Sequence, residues 1–345
     1  MPPTGHQAIG FVKMLRRLSP DGAGPVVLRI KKSILRNIMN SLYDRIFRKI
    51  GCEDLPDKLL KLSGSDLNSL LLEIFRIQAG KSTAMAVAGN HSQNRFTQPS
   101  AIDPVKYHRL EAELLEYAGN HGLTPVLLSP VAPLGSCSAF GFVSQNNVIS
   151  AARGVEVLAD PTNMLTLIVA DRRKSMVNPD KSIEHYCTTS RVARAQNFSG
   201  KNSFAHFGMF CRVSCGRDTG SYGCESILLT NQLAYYVQLF EEKFHFTVSI
   251  TLRSRTGYKD SKGFFEKMCN QIQTMMPNVP MKTESDQHDN EYYQGLNFKL
   301  YTNIQGERIE IGDGGFVDWM QQITGKKKER CLISGIGLDR LMLLD

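Results

Sequence analysis

The 345-residue chain has no apolar run approaching the ~18–20 residues a membrane-crossing helix needs, so a helical membrane protein is not expected. Its first residues lack the continuous apolar core of a secretory signal. A cytoplasmic location is therefore expected, and the eight cysteines should be free thiols rather than bridges. No internal repeat is visible. No standard zinc spacing is present either. Cys211, Cys215 and Cys224 run C-x3-C-x8-C near His206, and an extended strand would hold the first two more than ~12 Å apart. No metal site is expected. No Ser-His-Asp or Cys-His nucleophile arrangement can be read, and Cys137 in "GSCSAF" reads as a loop residue.

Acidic residues are scarce at the start. Residues 1–50 hold ten Lys and Arg against Asp21 and Asp44, which accounts for the whole formal net charge of +8. Such a segment offers itself to nucleic acid or to an acidic protein surface, and equally well to water as a solvated helix face. No aromatic interleaving sharpens the choice.

What remains is ordinary for a globular protein: 42% hydrophobic and 21% charged residues. A Pro- and Gly-containing flexible N-terminus is expected over 1–25. A basic helical domain follows over 26–80, with Ile34, Ile38, Leu42, Ile46 and Ile50 at helical spacing, Gly51 as a stop, and a second helix over 66–78. The polar stretch 81–103 reads as a linker. "AGKST" at 79–83 resembles the end of a P-loop, but the required first glycine falls on Phe75 and a helix precedes it. From 104 to 345 the pattern becomes α+β. It holds a helix over 104–118, an extended "TPVLLSPVAPL", a strand and an Asp160-Pro161 turn leading to a helix, and an alternating strand at "SFAHFGMFCRVSCG". A long helix at 225–244 and a late hairpin turning near Gln305-Gly306 follow. At the end, strand-like Cys331–Ser334 meets Gly335-Ile336-Gly337. Leu338, Leu341, Met342 and Leu344 should then cover an apolar helical face with Arg340 among them, wanting a carboxylate or a phosphate.

The stretch "GIGLDRLMLL" closely resembles motif 3 of class II aminoacyl-tRNA synthetases, G-x-G-x-[DE]-R-L. Upstream features resemble the histidyl-tRNA synthetase branch, which includes the regulatory paralogue of ATP phosphoribosyltransferase. "YYQGLNFKLY" stands where that branch has Y-Y-x-G-x-x-F-E. "GGFVDW" stands for G-G-R-Y-D and "VLADPT" for L-R-P-[DE]-x-T. "SRVARAQNFSGKNSFAHFG" stands for motif 2, and the helix at 104–118 with Pro130 for motif 1. The resemblance implies a six- or seven-stranded antiparallel sheet with flanking helices and a homodimer through motif 1. It implies adenylate formation from ATP, with Mg2+ assisting, on a small amino or carboxylic acid. By the same likeness, Arg191 would contact the α-phosphate and Arg340 the distal phosphates or adenine, and Phe204 would stack on adenine, with Gly335 and Gly337 also at the nucleotide. Asp160, Thr162, His206, Tyr292, Tyr293, Gly314 and Gly315 would hold the acyl substrate.

Departures qualify that picture. The motif 2 glutamate is Ala193, an expected arginine falls on His288, and the arginine of G-G-R-Y-D is Phe316. The Gln and Glu that would hold histidine fall on His206 and Phe210. Histidine is therefore not the expected substrate, and with no anticodon-binding domain in the sequence, neither is ordinary tRNA charging. Three readings stand: an adenylate-forming ligase, a non-catalytic paralogue that binds a small molecule and regulates or scaffolds a partner, and a nucleic-acid binder acting through the basic N-terminus.

Overall fold

The computed structural model describes residues 41–175, 182–196, 205–285, 292–304 and 306–343. The expected flexible segment 1–25, the first turns of the basic helix, Phe204 and His288 lie outside the described residues. The chain divides into two compact units, one up to Leu70 and one from Leu71.

The first unit holds α1 (Ser41–Ile50) and α2 (Leu55–Leu59), and α3 (Gly64–Gly80) carries the boundary. Gly51 ends α1 at φ +73°, a left-handed conformation that costs glycine nothing. The apolar face of α1 is exposed at Leu42, Ile46 and Ile50.

The second unit opens with α4 (Ala84–Gln93), inside the stretch read as a linker, where the Thr83 hydroxyl caps the helix by accepting from the Ala86 amide. Then come α5 (Pro104–Asn120), β1 (Thr124–Pro125), β2 (Val131–Pro133), α6 (Ser136–Ala139), β3 (Ser150–Ala151), β4 (Val155–Val157) and α7 (Pro161–Ser175). They lead to β5 (Glu184–Ala193), β6 (His206–Arg217), α8 (Gly223–Phe244), β7 (Ser249–Ser254), α9 (Ser261–Met275) and β8 (Met281–Glu284). The chain finishes with β9 (Leu296–Ile304), β10 (Glu307–Val317), α10 (Trp319–Thr324), β11 (Glu329–Gly337) and α11 (Leu338–Met342). The expected long strand at 124–134 is two short ones, because Pro125, Pro130 and Pro133 each remove a ladder donor.

Eight strands form one sheet in the order β1-β5-β6-β11-β10-β9-β7-β8, and β2-β4-β3 make a small second sheet. The six inner strands are antiparallel, as expected, while β1 and β8 add parallel edges. The architecture is a mixed α/β sheet flanked by helices.

The two faces of the large sheet are covered differently. On the back face, Phe210, Phe298, Phe316 and Leu332 pack against α5, α8, α9 and α11. On the front face, Val213, Cys215, Cys331 and Ile333 pack against Leu165 and Val169 of α7 and Trp319 of α10. The front is covered along only part of its length by those helices. Beside them, Ala132 and Leu158 of the small-sheet layer meet Val192, and the space between holds the cavity described next. All eight cysteines are free.

Candidate functional site

Strand β5 decides which arginine reaches the cavity, because side chains alternate between faces. Arg191 lies opposite Gly208 of β6, where any Cβ would run into the Tyr107 ring of α5. Arg191 is therefore on the back face. Its guanidinium stands 5.5 Å from the Tyr107 ring centroid and bridges Asp339 at 3.1 Å, while its Nε donates to His206 Nδ1 at 2.9 Å. Asp339 is buried and also accepts from the Gly208 amide at 2.5 Å and the Ser100 hydroxyl at 3.3 Å. The charge that the synthetase likeness would aim at a phosphate is thus neutralised on the helical side. His206, expected at the substrate, instead contacts the Gln98 carbonyl through Nε2 at 2.6 Å.

Arg194 continues the ladder, its amide donating to the Ala205 carbonyl, and so points to the front. It lines a cavity of about 250 Å³. Its Nε donates to the Ala159 carbonyl at 3.0 Å, and the guanidinium lies 5.2 Å from the Phe207 ring centroid. None of its described partners is a carboxylate.

Asp160 precedes Pro161 at the start of α7, a natural capping arrangement. Its Oδ1 accepts from the Thr162 amide at 3.0 Å and hydroxyl at 2.6 Å, and its Oδ2 accepts from the Tyr292 hydroxyl at 2.6 Å. Tyr293 donates to Asp313 of β10 at 3.3 Å. Adjacent strand residues would face opposite ways. These two tyrosines instead lie in a turn before β9, with rings nearly perpendicular and centroids 4.8 Å apart, and both line the cavity. Burial pushes both phenols well above their ordinary range, so they act as donors. Burial also raises the Asp313 carboxyl.

Of the other expected residues, Gly335 lines the cavity, and a Cβ there would come within 2.9 Å of Met209 Cε. Gly315 lies beneath the cavity, whereas Gly314, expected at the substrate, turns to the back face, where a Cβ would come within 2.5 Å of the Phe298 ring. A Cβ on Gly315 would sit 2.5 Å from the Tyr293 ring, so this glycine lets the tyrosine pack flat on β10. Gly337 carries no such crowding and leads into α11. Arg340 is exposed, not buried among the leucines, and donates to the Glu310 carbonyl at 2.7 Å. On a helix it lies about 200° around from Leu338, on the solvent side, and its neighbour Asp339 is the buried charge. Arg194, Asp313 and Met209 were not singled out from sequence, and Cys137, read there as a loop residue, is instead buried in the short helix α6. Strand parity from Arg191 is the signal that finds Arg194.

The cavity thus brings Asp160, Thr162, Tyr292, Tyr293 and Gly335 together with Arg194 and Asp313, and leaves Arg191, His206 and Arg340 outside its lining. The thiols near it are not nucleophiles: burial raises both Cys137 and Cys211 far from thiolate formation. Among the described residues no cluster of His, Cys, Asp and Glu suits a metal ion, and no helix is long and apolar enough to cross a membrane. The arrangement can hold a small molecule by charge-assisted hydrogen bonds in a half-enclosed space.

This sheet, its helices and its front-face cavity define a class II aminoacyl-tRNA synthetase-like fold. The chain is similar to the apo histidyl-tRNA synthetase of S. aureus, at 13% identity and TM-score 0.53, over 71% of this chain and 68% of that one. It is similar to an ATP phosphoribosyltransferase regulatory subunit/histidyl-tRNA synthetase from Bacillus halodurans C, at 11% identity and TM-score 0.56, over 73% and 83%. A threonyl-tRNA synthetase ThrRS-1 from Aeropyrum pernix aligns at 11% identity and TM-score 0.57 over 68% of this chain, which spans 58% of that chain's length. No family model and no curated protein matches the sequence.

Proposed function

We propose that this chain is a synthetase-like protein that binds a small amino-bearing molecule in the front-face cavity and acts as a sensor or scaffold for a partner, without forming an adenylate. One observation carries the reading. The front face presents two tyrosine-held carboxylates to a cavity of about 250 Å³, while Arg191, the residue that would meet an α-phosphate, faces the other way and is bound to Asp339. A cavity of about 150 Å³ already admits a benzene ring, so an amino acid is a reasonable occupant. The described residues fit ATP and Mg2+ poorly. Asp339 is occupied by Arg191 and Glu310 by Lys299 at 2.5 Å, which leaves neither free for a metal. Homodimerisation through α5 and the segment after it belongs to the same reading. Leu127, 96% exposed, would be covered, and light scattering on the eluted protein measures it.

One observation favours the adenylate-forming ligase instead. Arg340 is exposed and held by a carbonyl, not by a carboxylate, so its charge is available. Thermal shift with a panel of amino acids, with and without ATP and Mg2+, separates the readings. A response to an amino acid alone supports the sensor. A response that needs ATP, together with pyrophosphate exchange, selects the ligase. No response to any amino acid removes the sensor reading.

A further inference from the structure

The occupant's chemistry can be narrowed by charge. Three ionisable groups of fixed sign line the cavity: Asp160, Asp313 and Arg194. The two carboxylates come from different walls, Asp160 from the start of α7 and Asp313 from the middle of β10. Each has one tyrosine hydroxyl on it, and among the described residues neither has a cation within salt-bridge distance. Arg194 has no carboxylate among its described partners. The near neighbours do not cancel the imbalance. Lys299, across the ladder from Asp313, is bound to Glu310, so that pair is neutral. Glu156, buried behind the Cys137 wall, accepts from the Gly135 and Cys137 amides and the Gln145 side chain and meets no cation among the described residues. It adds a further negative charge.

The lining therefore carries two carboxyl groups and one guanidinium, a formal net charge of minus one. The rest of the wall is mixed: Val143, Val148, Ala159, Met209 and Ile333 are apolar, and Asn147, Gln196 and Ser334 add polar groups. A carboxylate in such a site is costly unless a partner with hydrogen-bond donors completes it.

We infer that the cavity is built for a basic α-amino acid of the lysine or ornithine type. One ammonium would meet Asp160 with Tyr292, the other Asp313 with Tyr293, the carboxylate would meet Arg194, and the methylene stem would lie on the apolar part of the wall. An acidic amino acid would place a second carboxylate against two others, and a neutral aliphatic one would leave Asp313 without a cation. This inference rests on the small-molecule reading above and goes further by naming the ligand.

The test uses the full chain and three probes that differ by one group: lysine, norleucine, which lacks the second ammonium, and cadaverine, which lacks the carboxylate. Calorimetric titration should find lysine or ornithine tightest, with norleucine and cadaverine each weaker by about tenfold or more, since each loses one charge-assisted contact. Asp313→Asn should erase the preference for lysine over norleucine and keep that over cadaverine. Arg194→Gln should do the reverse. Circular dichroism of both variants confirms that they fold. If leucine, histidine or norleucine binds as tightly as lysine, or if Asp313→Asn leaves the lysine preference intact, the basic-amino-acid assignment is overturned while the small-molecule reading survives. If no amino-bearing probe binds, both fall.

Discussion

The Asp339 cluster on the back of the large sheet and the cavity on its front treat charge in opposite ways. At Asp339, charge is settled within the protein. Asp339 is closed by Arg191, an amide and a hydroxyl. Arg212, fully buried on the same face, is only partly completed: it lies between Tyr235 at 4.3 Å and Tyr236 at 5.9 Å and donates to Asn231, while its Nε and Nη1 meet no partner among the described residues. In the front-face cavity, Asp160, Asp313 and Arg194 have no opposite charge beside them among the described residues, whereas Glu184 and Glu329 on the same face are closed by Arg173. Arg191 and Arg194 are three residues apart on one strand, and this odd spacing sends the first into the fold and the second into the cavity. Charge completed internally serves stability, and on the proposed reading charge left incomplete serves binding.

Back-face changes should therefore cost stability most. Asp339→Ala strands Arg191 and frees the Gly208 amide, and is expected to lose about 3–5 kcal/mol in denaturant unfolding. A loss under about 1 kcal/mol would show that this buried cluster does not hold α11 to the sheet. The next effect is acid sensitivity. Burial and the neighbouring Arg212 depress His185 from 6.5 to about 4. For a histidine whose folded value is lowered, the stabilisation is present above 6.5 and lost as pH falls toward 4. The slope should total roughly 3 kcal/mol over that window. His185→Gln should flatten it, and an unchanged slope in the variant would place the acid sensitivity elsewhere. On the front, Gly315→Ala pushes a methyl into the Tyr293 ring and should cost about 1–3 kcal/mol, with loss of ligand response exceeding what the destabilisation explains.

How far the sequence revealed this division depends on which residues are considered. The late hairpin, the strand-to-helix junction at Gly335–Gly337 and the Asp160-Pro161 helix start were legible, because alternation, glycine at a tight junction and an Asp-Pro cap are local signals. Arg340 was misread for lack of a helical angle: Leu338 and Leu341 share a face that Arg340 does not. Asp313 escaped notice because a carboxylate among glycines reads as a turn, and its role comes from lying between Lys299 of β9 and Gly335 of β11. Register across three strands is not a local property. Helix α4 was hidden by its polar composition, although Thr83 followed by an alanine-rich stretch was a usable start signal.

The smallest expected change in stability is also the one with a reversed sign. Burial raises the Asp313 carboxyl, so the ionised form is the less stable one in the folded protein. A group whose folded pKa lies above its unfolded value stabilises fully below the unfolded pKa and loses that contribution as pH rises through the folded one. The empty protein should therefore weaken slightly with rising pH through Asp313's titration. Asp313→Asn, which keeps the shape and an acceptor for Tyr293 without the charge, should remove that slope. At neutral pH the variant should be as stable as the parent or more so, by less than about 1 kcal/mol, while losing its response to a basic amino acid. Adding the ligand to the parent should do the opposite, because an ammonium beside Asp313 favours the ionised carboxylate and draws its pKa back down. Ligand-induced stabilisation should then grow as pH rises through the same window. Melting temperatures of parent and variant across pH, with and without lysine, check all three signs. If Asp313→Asn is markedly less stable than the parent at neutral pH, Asp313 belongs with Asp339 as an internally completed charge, and the contrast between cluster and cavity fails at its most specific point.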